Sequence, residues 1–321
     1  MPKISIIVPI YGVEKYIERC ARSLFEQTMD DLEFIFVNDC TYDSSMSILE
    51  RIVGEYPNRN VRIVNHPRNM GVSYARKSGL GIATGDYIIH CDSDDWVEPE
   101  YCRKLYVTAV AENSDIVVCD FILDEGEGQV GKNDYDDAIL INPLRAVSAS
   151  ISLRSSPFLW NKLVRREIYE NHIIHPNNNL ADDWTLTVQF IYYSKKTAII
   201  ADKLYHYCYN PNSIIRDTTK DACFKRCAEQ TANVTLINTW LKEKGLLKKY
   251  KRDLIKPKIV AKGMLMPVIM DPQASLAWRR TFPEVHIPVL FGRGYGKRYK
   301  IRFLLLAVGL YRPIKKVCKF V

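Results

Sequence analysis

Three carboxylates follow one apolar run in the stretch HCDSDDW, residues 90 to 96. Asp92, Asp94 and Asp95 come soon after Tyr87-Ile88-Ile89, a run with the composition of a buried strand. Carboxylates crowded at a strand end repel one another and are costly to desolvate, so a cation is expected among them. A hard divalent cation such as Mg²⁺ or Mn²⁺ takes oxygen ligands, often only one or two from protein and the rest from phosphate and water. The spacing therefore predicts a metal that offsets the charge of a bound diphosphate.

Competing explanations for a phosphate or metal site are weaker. An aspartate before Pro99 could cap a helix, but a cap accounts for one carboxylate and not for three. No G-x-x-x-x-G-K-[ST] segment is present, and GRGYG at 292–296 lacks the G-x-G-x-x-G spacing. The nine cysteines are scattered without a C-x-x-C pair, which favours reduced thiols over a zinc site or a disulfide framework.

The elements that must position these carboxylates alternate along the first 121 residues. Short runs rich in β-branched residues predict strands, and between the first two, Val13, Ile17, Cys20 and Leu24 form one face of a helix. The predicted strands are ISIIVP (4–9), LEFIFVND (32–39), VRIVNH (61–66), DYIIHCD (86–92) and DIVVCDF (115–121). This alternation predicts an α/β fold with a mostly parallel sheet flanked by helices. Ligands in such sheets bind outside the carboxyl ends of the strands, so Asn38-Asp39, His66 and the aspartates should meet in one crevice.

The rest of the chain changes character. Residues 122–150 predict a surface loop around DEGEGQVGKNDYDD, and FLWNKLVRREIYENH (158–172) predicts a helix. LADDWTLTVQFIYY (180–193) predicts a second helix, and KTAIIADKLYHYCY (196–209) predicts one or two strands. From about residue 217 onward the pattern is helical.

Charge is concentrated at the end of the chain. The formal net charge is +8 over 321 residues, and no acidic residue follows Glu284, whereas nine lysines and arginines do. The segment 292–321 mixes these cations with Phe, Leu and Ile, which favours an interfacial helix on an anionic membrane leaflet. A helix docked on the core with a basic outer face is the alternative. No stacking motif accompanies the charge, so nucleic-acid binding is not expected.

The N-terminal segment MPKISIIVPIYG fits a first strand better than a signal peptide, because its apolar run breaks at Pro9 and no small-residue cleavage site follows. No stretch reaches the roughly 18 apolar residues of a spanning helix. We expect a cytoplasmic protein that is peripheral on the inner face of the cell membrane.

Six segments, in order, resemble family 2 of the nucleotide-sugar glycosyltransferases. They are VPIYGVEKYIERCARSLFEQT, VNDCTYDSS, NMGVSYARKSGLGIATGDYI, CDSDDW, WNKLVRREIYE and ADDWTL. The resemblance implies a glycosyltransferase-A-like α/β fold with a helical C-terminal region. It places the catalytic domain in residues 1–215, with its nucleotide-binding part at about 1–121 and its acceptor part at about 150–215. Residues 216–321 would form the helical region, ending in the basic tail 292–321.

The resemblance also implies roles for single residues. Asp183 matches the catalytic base, Asp39 the contact to the nucleotide base, and Asp92 and Asp94 the D-x-D pair, which would hold Mg²⁺ or Mn²⁺. The implied nucleotide-sugar pocket comprises Pro9, Ile10, Tyr11, Asp39, Arg76, Asp92, Ser93 and Asp94. Trp160, Lys162, Asp182 and Trp184 are candidates to border the acceptor or the diphosphate, and the alternative for Trp160 is a place in the core, which is more common for a tryptophan before an amphipathic helix. His66 and His90 are expected to be structural.

Some positions depart from the family pattern. Asn38-Asp39-Cys40-Thr41 stands where Asp-Asp-Gly-Ser is usual, and Asp182-Asp183 replaces Glu-Asp. The retained Asp39 keeps a base contact, while Cys40 adds bulk where a glycine allows close approach. Asp183 could also serve as a helix N-cap, since carboxylates are favoured there.

The implied function is a metal-dependent, inverting hexosyl transfer in polysaccharide biosynthesis, from a UDP-sugar to a hydroxyl of a surface polysaccharide or lipid-linked glycan. A nucleotidyltransferase that makes sugar nucleotides is one alternative, although VPIYGVEKY lacks the glycine-rich, basic triphosphate loop expected after its first strand. A non-catalytic membrane-surface protein that has kept the fold is another. Asp39, Asp92, Asp94 and Asp183 would then have no reason to be present together.

Overall fold

The computed structural model describes residues 1–124, 129–132, 142–211, 213 and 215–312. The chain divides into two compact units. The first comprises Met1–Ser150 with Arg154–Asn210, and the second comprises Ile151–Leu153 with Pro211–Val321. Each unit has its own hydrophobic core.

A single twisted sheet forms the centre of the first unit. Within the described residues its strands are β1 (Ile4–Ile10), β2 (Leu32–Asn38), β3 (Asn60–Asn65), β4 (Tyr87–His90), β5 (Trp96–Val97), β6 (Ile116–Asp124), β7 (Gln129–Lys132), β8 (Lys162–Arg165) and β9 (Thr197–Cys208). Their order is β3-β2-β1-β4-β8-β6-β9-β5, with β7 paired to β6. Strands β1 to β4 are parallel to one another, whereas β8 joins β4 to β6 by antiparallel pairing. All seven residues of β1 are buried, as expected for a central strand covered on both faces.

Helices of the first unit connect and cover these strands. They are α1 (Ile17–Phe25), α2 (Ser45–Glu55), α3 (Val72–Leu80), α4 (Tyr101–Ala111), α5 (Pro143–Ile151), α6 (Arg166–His172) and α7 (Asp182–Tyr193). Helix α1 buries Ile17, Cys20 and Leu24, as its periodicity predicts. The α/β fold with a sheet flanked by helices is therefore confirmed. The sheet is mixed rather than mostly parallel, because the described strands form four parallel and four antiparallel pairs.

Two local expectations were wrong. Residues 162–165 form strand β8, because this buried run fills the gap between β4 and β6, and the helix begins only at Arg166. Residues 122–150 are not all loop: β6 continues to Asp124, β7 pairs with it, and α5 begins at Pro143. Residues 125–128 and 133–141 lie outside the described part of the chain.

The second unit is helical in its described residues, as expected for the C-terminal region. Its helices are α8 (Lys220–Glu243), α9 (Leu247–Tyr250), α10 (Ile255–Gly263), α11 (Pro272–Arg280), α12 (His286–Phe291) and α13 (Lys297–Ala307), with 3₁₀ turns at Met266–Val268 and Pro283–Val285. Leu265, Trp278, Val289, Phe303 and Leu306 form its core. Among the described residues, no helix is both long and apolar enough to cross a membrane. Of the predicted tail, residues 313–321 lie outside the description.

Candidate functional site

Arg76 joins the strand-end aspartates to the start of helix α7. Its Nη1 atom donates to both carboxylate oxygens of Asp182 at 2.8 Å, and its Nη2 atom donates to Oδ1 of Asp92 at 2.8 Å. The side chain is only 10% exposed, as is usual for an arginine whose charge is matched by partners. Arg76 therefore links three segments that are distant in sequence: α3, the end of β4 and the first turn of α7.

The surroundings of Arg76 favour its charged form. Burial disfavours the guanidinium cation, but the carboxylates of Asp182, Asp92 and Asp183 outweigh it and raise the pKa of Arg76 above its ordinary value. Its Nε atom is buried without a hydrogen-bond partner among the described residues. The expected cation at the D-x-D aspartates is thus supplied in part by the protein itself.

The three aspartates of HCDSDDW have different environments. Asp92 is paired with Arg76 and keeps a side chain that is 28% exposed. Asp94 accepts from Nδ2 of Asn210 at 2.9 Å, and burial together with the neighbouring Asp92 raises its pKa. Asp95 is buried, and it accepts from the Tyr205 hydroxyl and from the backbone N–H of Cys208, each at 2.7 Å. None of the three caps a helix, since α4 begins only at Tyr101.

Asp92 and Asp94 are suitable ligands for a divalent cation whose coordination shell is completed by a bound substrate and water. No group of three His, Cys, Asp or Glu side chains in the described ranges is arranged to hold a metal alone. Two partly exposed carboxylates nevertheless supply the hard oxygen donors that Mg²⁺ and Mn²⁺ prefer, with the remaining positions left to diphosphate and water. The raised pKa of Asp94 reflects in part a like-charge repulsion that a bound cation would relieve.

Asp39 lies buried at the end of β2 and holds the loop between β3 and α3 through hydrogen bonds. Its Oδ1 accepts from the backbone N–H of Met70 at 2.8 Å and lies 2.7 Å from Nδ1 of His66, and its Oδ2 accepts from the N–H of Gly71 at 2.6 Å. The other ring nitrogen of His66 lies 2.8 Å from the Ser78 hydroxyl. His66 thus has a structural role, and Asp39 has lone-pair capacity for at most one further donor.

The pocket floor implied at residues 9–11 follows directly from β1. Pro9 and Ile10 are buried in the strand, whereas Tyr11 is 46% exposed and packs edge-on against Tyr42 with ring centroids 5.6 Å apart. Cys40 is exposed and has a φ of 58°, a left-handed conformation that a glycine would adopt without strain. Ser93 is buried between the two predicted metal ligands.

Asp183 lies in the first turn of α7, next to the buried ion pair. Desolvation by the surrounding protein and the adjacent Asp182 raise the pKa of Asp183 to about 7, although Arg76 acts in the opposite direction. Its side chain stays partly accessible, and its Oδ1 accepts from the N–H of Trp184 at 2.7 Å. The carboxylate can therefore exchange a proton near neutral pH, which is what a general base needs.

The remaining predicted residues have diverse positions. Trp160 is buried in an aromatic stack, parallel to Tyr205 at 4.2 Å and to Phe158 at 4.7 Å between ring centroids. Trp184 is buried and donates from Nε1 to the carbonyl of Ser150 at 3.0 Å. Asp182 is brought into the site by Arg76. Both tryptophans pack in the core, so we do not retain them as acceptor contacts.

Lys162 and His90 are also buried. Nζ of Lys162 donates to the carbonyls of Ser156 and Phe158 and to Oδ1 of Asn161. Burial lowers the pKa of Lys162 to about 7, while nearby Asp183 favours its charged form. Nε2 of His90 lies 3.1 Å from the Tyr169 hydroxyl, and burial lowers the pKa of His90 well below its usual range. His90 is therefore structural, as expected.

Sequence reasoning missed residues of β9 and the segment after it. Asn210 holds the Asp94 carboxylate, and the Tyr205 hydroxyl accepts from the N–H of Asp92 at 3.1 Å. These residues lie more than 100 positions after the aspartates that they support. No local pattern connects the two segments, so only the sheet order could have identified them.

Comparisons with known proteins agree on one family. A model described as Glycosyl transferase family 2 matches residues 5–189. The chain is 32% identical over 262 residues to the uncharacterized glycosyltransferase EpsJ of Bacillus subtilis (strain 168). The aligned region covers 79% of this chain and 74% of that protein.

Two solved structures share the fold. S. aureus TarS 1-349 in complex with UDP-GlcNAc has a TM-score of 0.61 at 16% identity, covering 98% of this chain and 90% of that chain. The mannosyltransferase PcManGT from Pyrobaculum calidifontis, in complex with GDP-Man and Mn²⁺, has a TM-score of 0.57 at 16% identity, covering 100% of this chain and 88% of that chain. At this level of identity the two structures support the architecture alone.

Proposed function

The chain belongs to glycosyl transferase family 2, and from that premise we propose that it transfers a sugar from a UDP-sugar to a hydroxyl of a surface polysaccharide or lipid-linked glycan. One observation carries the proposal: Arg76 binds Asp92 of the D-x-D pair and Asp182 beside Asp183 at the same time. The residues proposed to bind the donor and the residue proposed to accept the proton are thereby held next to each other. Residues 1–215 are proposed as the catalytic domain and residues 216–321 as a helical region that serves it.

Asp183 is proposed as the general base. The acceptor hydroxyl must lose its proton as its oxygen attacks the anomeric carbon, and a carboxylate with a pKa of about 7 can accept that proton at neutral pH. A single base opposite the leaving group is consistent with direct displacement, which inverts the anomeric centre. Lys162, buried near Asp183, is proposed to influence this carboxylate through its charge.

The donor is proposed to lie along the ends of β1, β2 and β4. Pro9, Ile10 and Tyr11 would floor the nucleotide pocket, Asp39 would accept from the nucleotide base, and Ser93 would line the space between the aspartates. Asp92 and Asp94 would hold Mg²⁺ or Mn²⁺, which offsets the charge of the departing nucleoside diphosphate when bound. PcManGT, which shares the fold, is in complex with Mn²⁺, and this supports the proposed use of a metal.

The location of the protein is also part of the proposal. We place it in the cytoplasm, peripheral on the inner face of the cell membrane, where a lipid-linked or growing surface glycan would be within reach. The basic segment 292–321 supports this placement, because lysine and arginine next to apolar residues favour an anionic leaflet. No nucleic-acid partner is proposed.

Calorimetric titration of UDP, with and without Mn²⁺, tests the nucleotide site directly. Wild-type protein should bind UDP more tightly with Mn²⁺, and Asp94→Ala should lose the metal-dependent part. Asp202→Ala is a matched control, because Asp202 is an exposed carboxylate of the same unit that pairs with Lys104. It should bind as the wild type does.

Two outcomes would change the proposal. Binding of GDP or CMP in place of UDP would keep the transfer chemistry but replace the donor. Absence of binding by all three nucleotides, in a protein that is folded by circular dichroism, would contradict the proposed activity.

A further inference from the structure

The second unit carries a charge imbalance much larger than that of the whole chain. From Pro211 to Val321 the sequence has 24 lysines and arginines against seven aspartates and glutamates. The net charge of +8 for all 321 residues therefore hides a strongly cationic C-terminal region and an acidic remainder. A surface of one sign attracts a partner of the opposite sign over about one Debye length, about 8 Å at physiological ionic strength.

Helix α13 exposes an apolar stripe within this cationic region. At about 100° per residue, Ile301, Leu304 and the C-cap residue Val308 lie within an arc of about 60°. All three are exposed, whereas Phe303 and Leu306 on the opposite side are buried in the core of the unit. The helix is thus apolar on its inner and on its outer side.

Cations flank this stripe, and α12 adds to the apolar surface. By the same helical geometry, Arg298 and Arg302 lie along one side of the stripe and Lys300 along the other, while exposed Lys297 lies at its N-terminal end. On α12, Ile287 is 71% exposed and Phe291 is 81% exposed, four residues apart on one face, with Val289 buried behind them. Helices α12 and α13 pack against each other in the same unit.

From this combination we propose that the outer side of α12 and α13 is a membrane-docking face for bilayers that contain anionic lipids. Ile287, Phe291, Ile301, Leu304 and Val308 enter the boundary between headgroups and acyl chains, and the flanking cations contact lipid phosphates. The docking element is a folded pair of helices, and Ile287 and Phe291 lie upstream of the predicted tail 292–321. The proposal deepens the membrane placement made above but does not depend on the sugar-transfer activity.

Charge and side-chain type favour a bilayer over other occupants. A second copy of this chain would bring two strongly cationic units together, which repel each other. Nucleic acid would satisfy the cations but would leave the exposed aliphatic side chains in water. A bilayer with anionic lipids accommodates both the apolar stripe and the cations.

Vesicle co-sedimentation with the full chain tests the proposal. Wild-type protein should sediment with phosphatidylcholine vesicles that contain phosphatidylglycerol and remain soluble with phosphatidylcholine alone. The variant Ile287→Ser/Phe291→Ser should bind the anionic vesicles at least about tenfold more weakly, because two exposed apolar anchors are lost. Arg298→Ser/Arg302→Ser should bind more weakly and lose part of its sensitivity to salt.

The matched control lies in the first unit. Val107→Ser/Val110→Ser removes two exposed valines of α4 and should leave vesicle binding unchanged. UDP titration of every variant reports on the nucleotide site separately, so a failure of the proposed activity cannot be mistaken for a failure of docking. Wild-type sedimentation with neither vesicle, or binding by Ile287→Ser/Phe291→Ser equal to that of the wild type, would overturn the proposal.

Discussion

Asp183 is the side chain on which the proposed chemistry depends most directly. Substitution by asparagine preserves the shape of the side chain but removes its ability to accept a proton. We expect Asp183→Asn to lower kcat by about 100-fold to 10,000-fold, the range typical of general-base catalysis, while UDP affinity stays unchanged. Steady-state transfer assays and calorimetry measure the two quantities. Asp202→Asn, at an exposed carboxylate, is the control and should retain full activity. Loss of UDP binding in Asp183→Asn would instead indicate a structural role.

The pH dependence of transfer provides a second test of the same residue. Its pKa is raised to about 7, so the carboxyl group is protonated below that pH and cannot accept the acceptor proton. We expect kcat/KM to rise with pH and level off above about 7, and the residual activity of Asp183→Asn to lack this inflexion. A wild-type profile that is flat between pH 5 and about 8 would exclude Asp183 as the base.

The same elevated pKa affects stability in the opposite direction. A carboxyl group whose pKa is higher in the folded than in the unfolded protein stabilises the fold when protonated, and that stabilisation is lost as pH rises toward the folded value of about 7. Above that pH, Asp183 is therefore a source of instability, whereas an asparagine at this position is not. A protein is often less stable with a functional carboxylate than with a neutral residue at the same position.

Single residues also show where the sequence was informative. The aspartates were recognisable as a candidate site because carboxylates next to an apolar run repel one another and are costly to desolvate unless they have a functional role. Trp160 and Lys162 were harder to place, because burial depends on neighbours that the local sequence does not reveal. Trp160 stacks on Tyr205, which lies 45 positions later, and Lys162 is held by carbonyls whose positions depend on the turn before β8.

At the scale of elements, Arg76 fastens the first turn of α7 to the end of β4. Substitution of Arg76 by methionine leaves Asp182 buried without its partner. Breaking a buried pair in this way costs about 3–5 kcal/mol, so we expect a free energy of unfolding lower by about that amount in urea titrations. Arg22→Met removes an arginine that pairs with Glu18 and Glu55 on a more exposed surface, and we expect it to lower the free energy of unfolding far less than Arg76→Met does.

A double variant separates the stabilising role of Arg76 from its functional role. Arg76→Met/Asp182→Leu replaces the buried pair with apolar side chains and should recover much of the lost stability. Transfer activity should stay low, since neither Asp92 nor Asp183 then has its neighbour. Recovery of activity together with stability would show that the pair serves packing alone.

The elements themselves were predictable to different degrees. Strands β1 to β4 and β6 were identified because each is a short run rich in β-branched residues. Strands β1 and β4 are buried along their whole length, whereas β3 is a partly exposed strand at the edge of the sheet. Helix α7 also begins and ends close to the predicted boundaries. Strand β8 was mistaken for the start of a helix, because a segment of four residues is too short to show a period and its pairing with β4 and β6 is set by the sheet. Strand β7 was missed for the same reason, since its partner β6 determines its conformation.

At the scale of the whole molecule, each unit has a core cluster of its own, which predicts how the chain unfolds. Among the described residues, the core cluster with Ile6 and Phe36 and the core cluster with Leu265 and Trp278 share no residue. We expect scanning calorimetry to resolve two unfolding transitions. Leu265→Ala should lower the Tm of only one transition. The loss in free energy of unfolding for that unit should be about 2–5 kcal/mol, as is typical of a large-to-small substitution in a core.

Ligand binding should act on the other transition alone. UDP with Mn²⁺ stabilises the unit that binds it, by about 2.7 kcal/mol when the ligand concentration is about 100 times Kd. For a unit of roughly 200 residues this corresponds to an increase in Tm of about 5 to 10 °C. The transition lowered by Leu265→Ala should not move, and Asp94→Ala should abolish the shift of the first. If UDP raised both transitions equally, or if a single transition responded to both the ligand and Leu265→Ala, the units would unfold as one cooperative body, and the nucleotide site would be coupled to the proposed membrane-docking face.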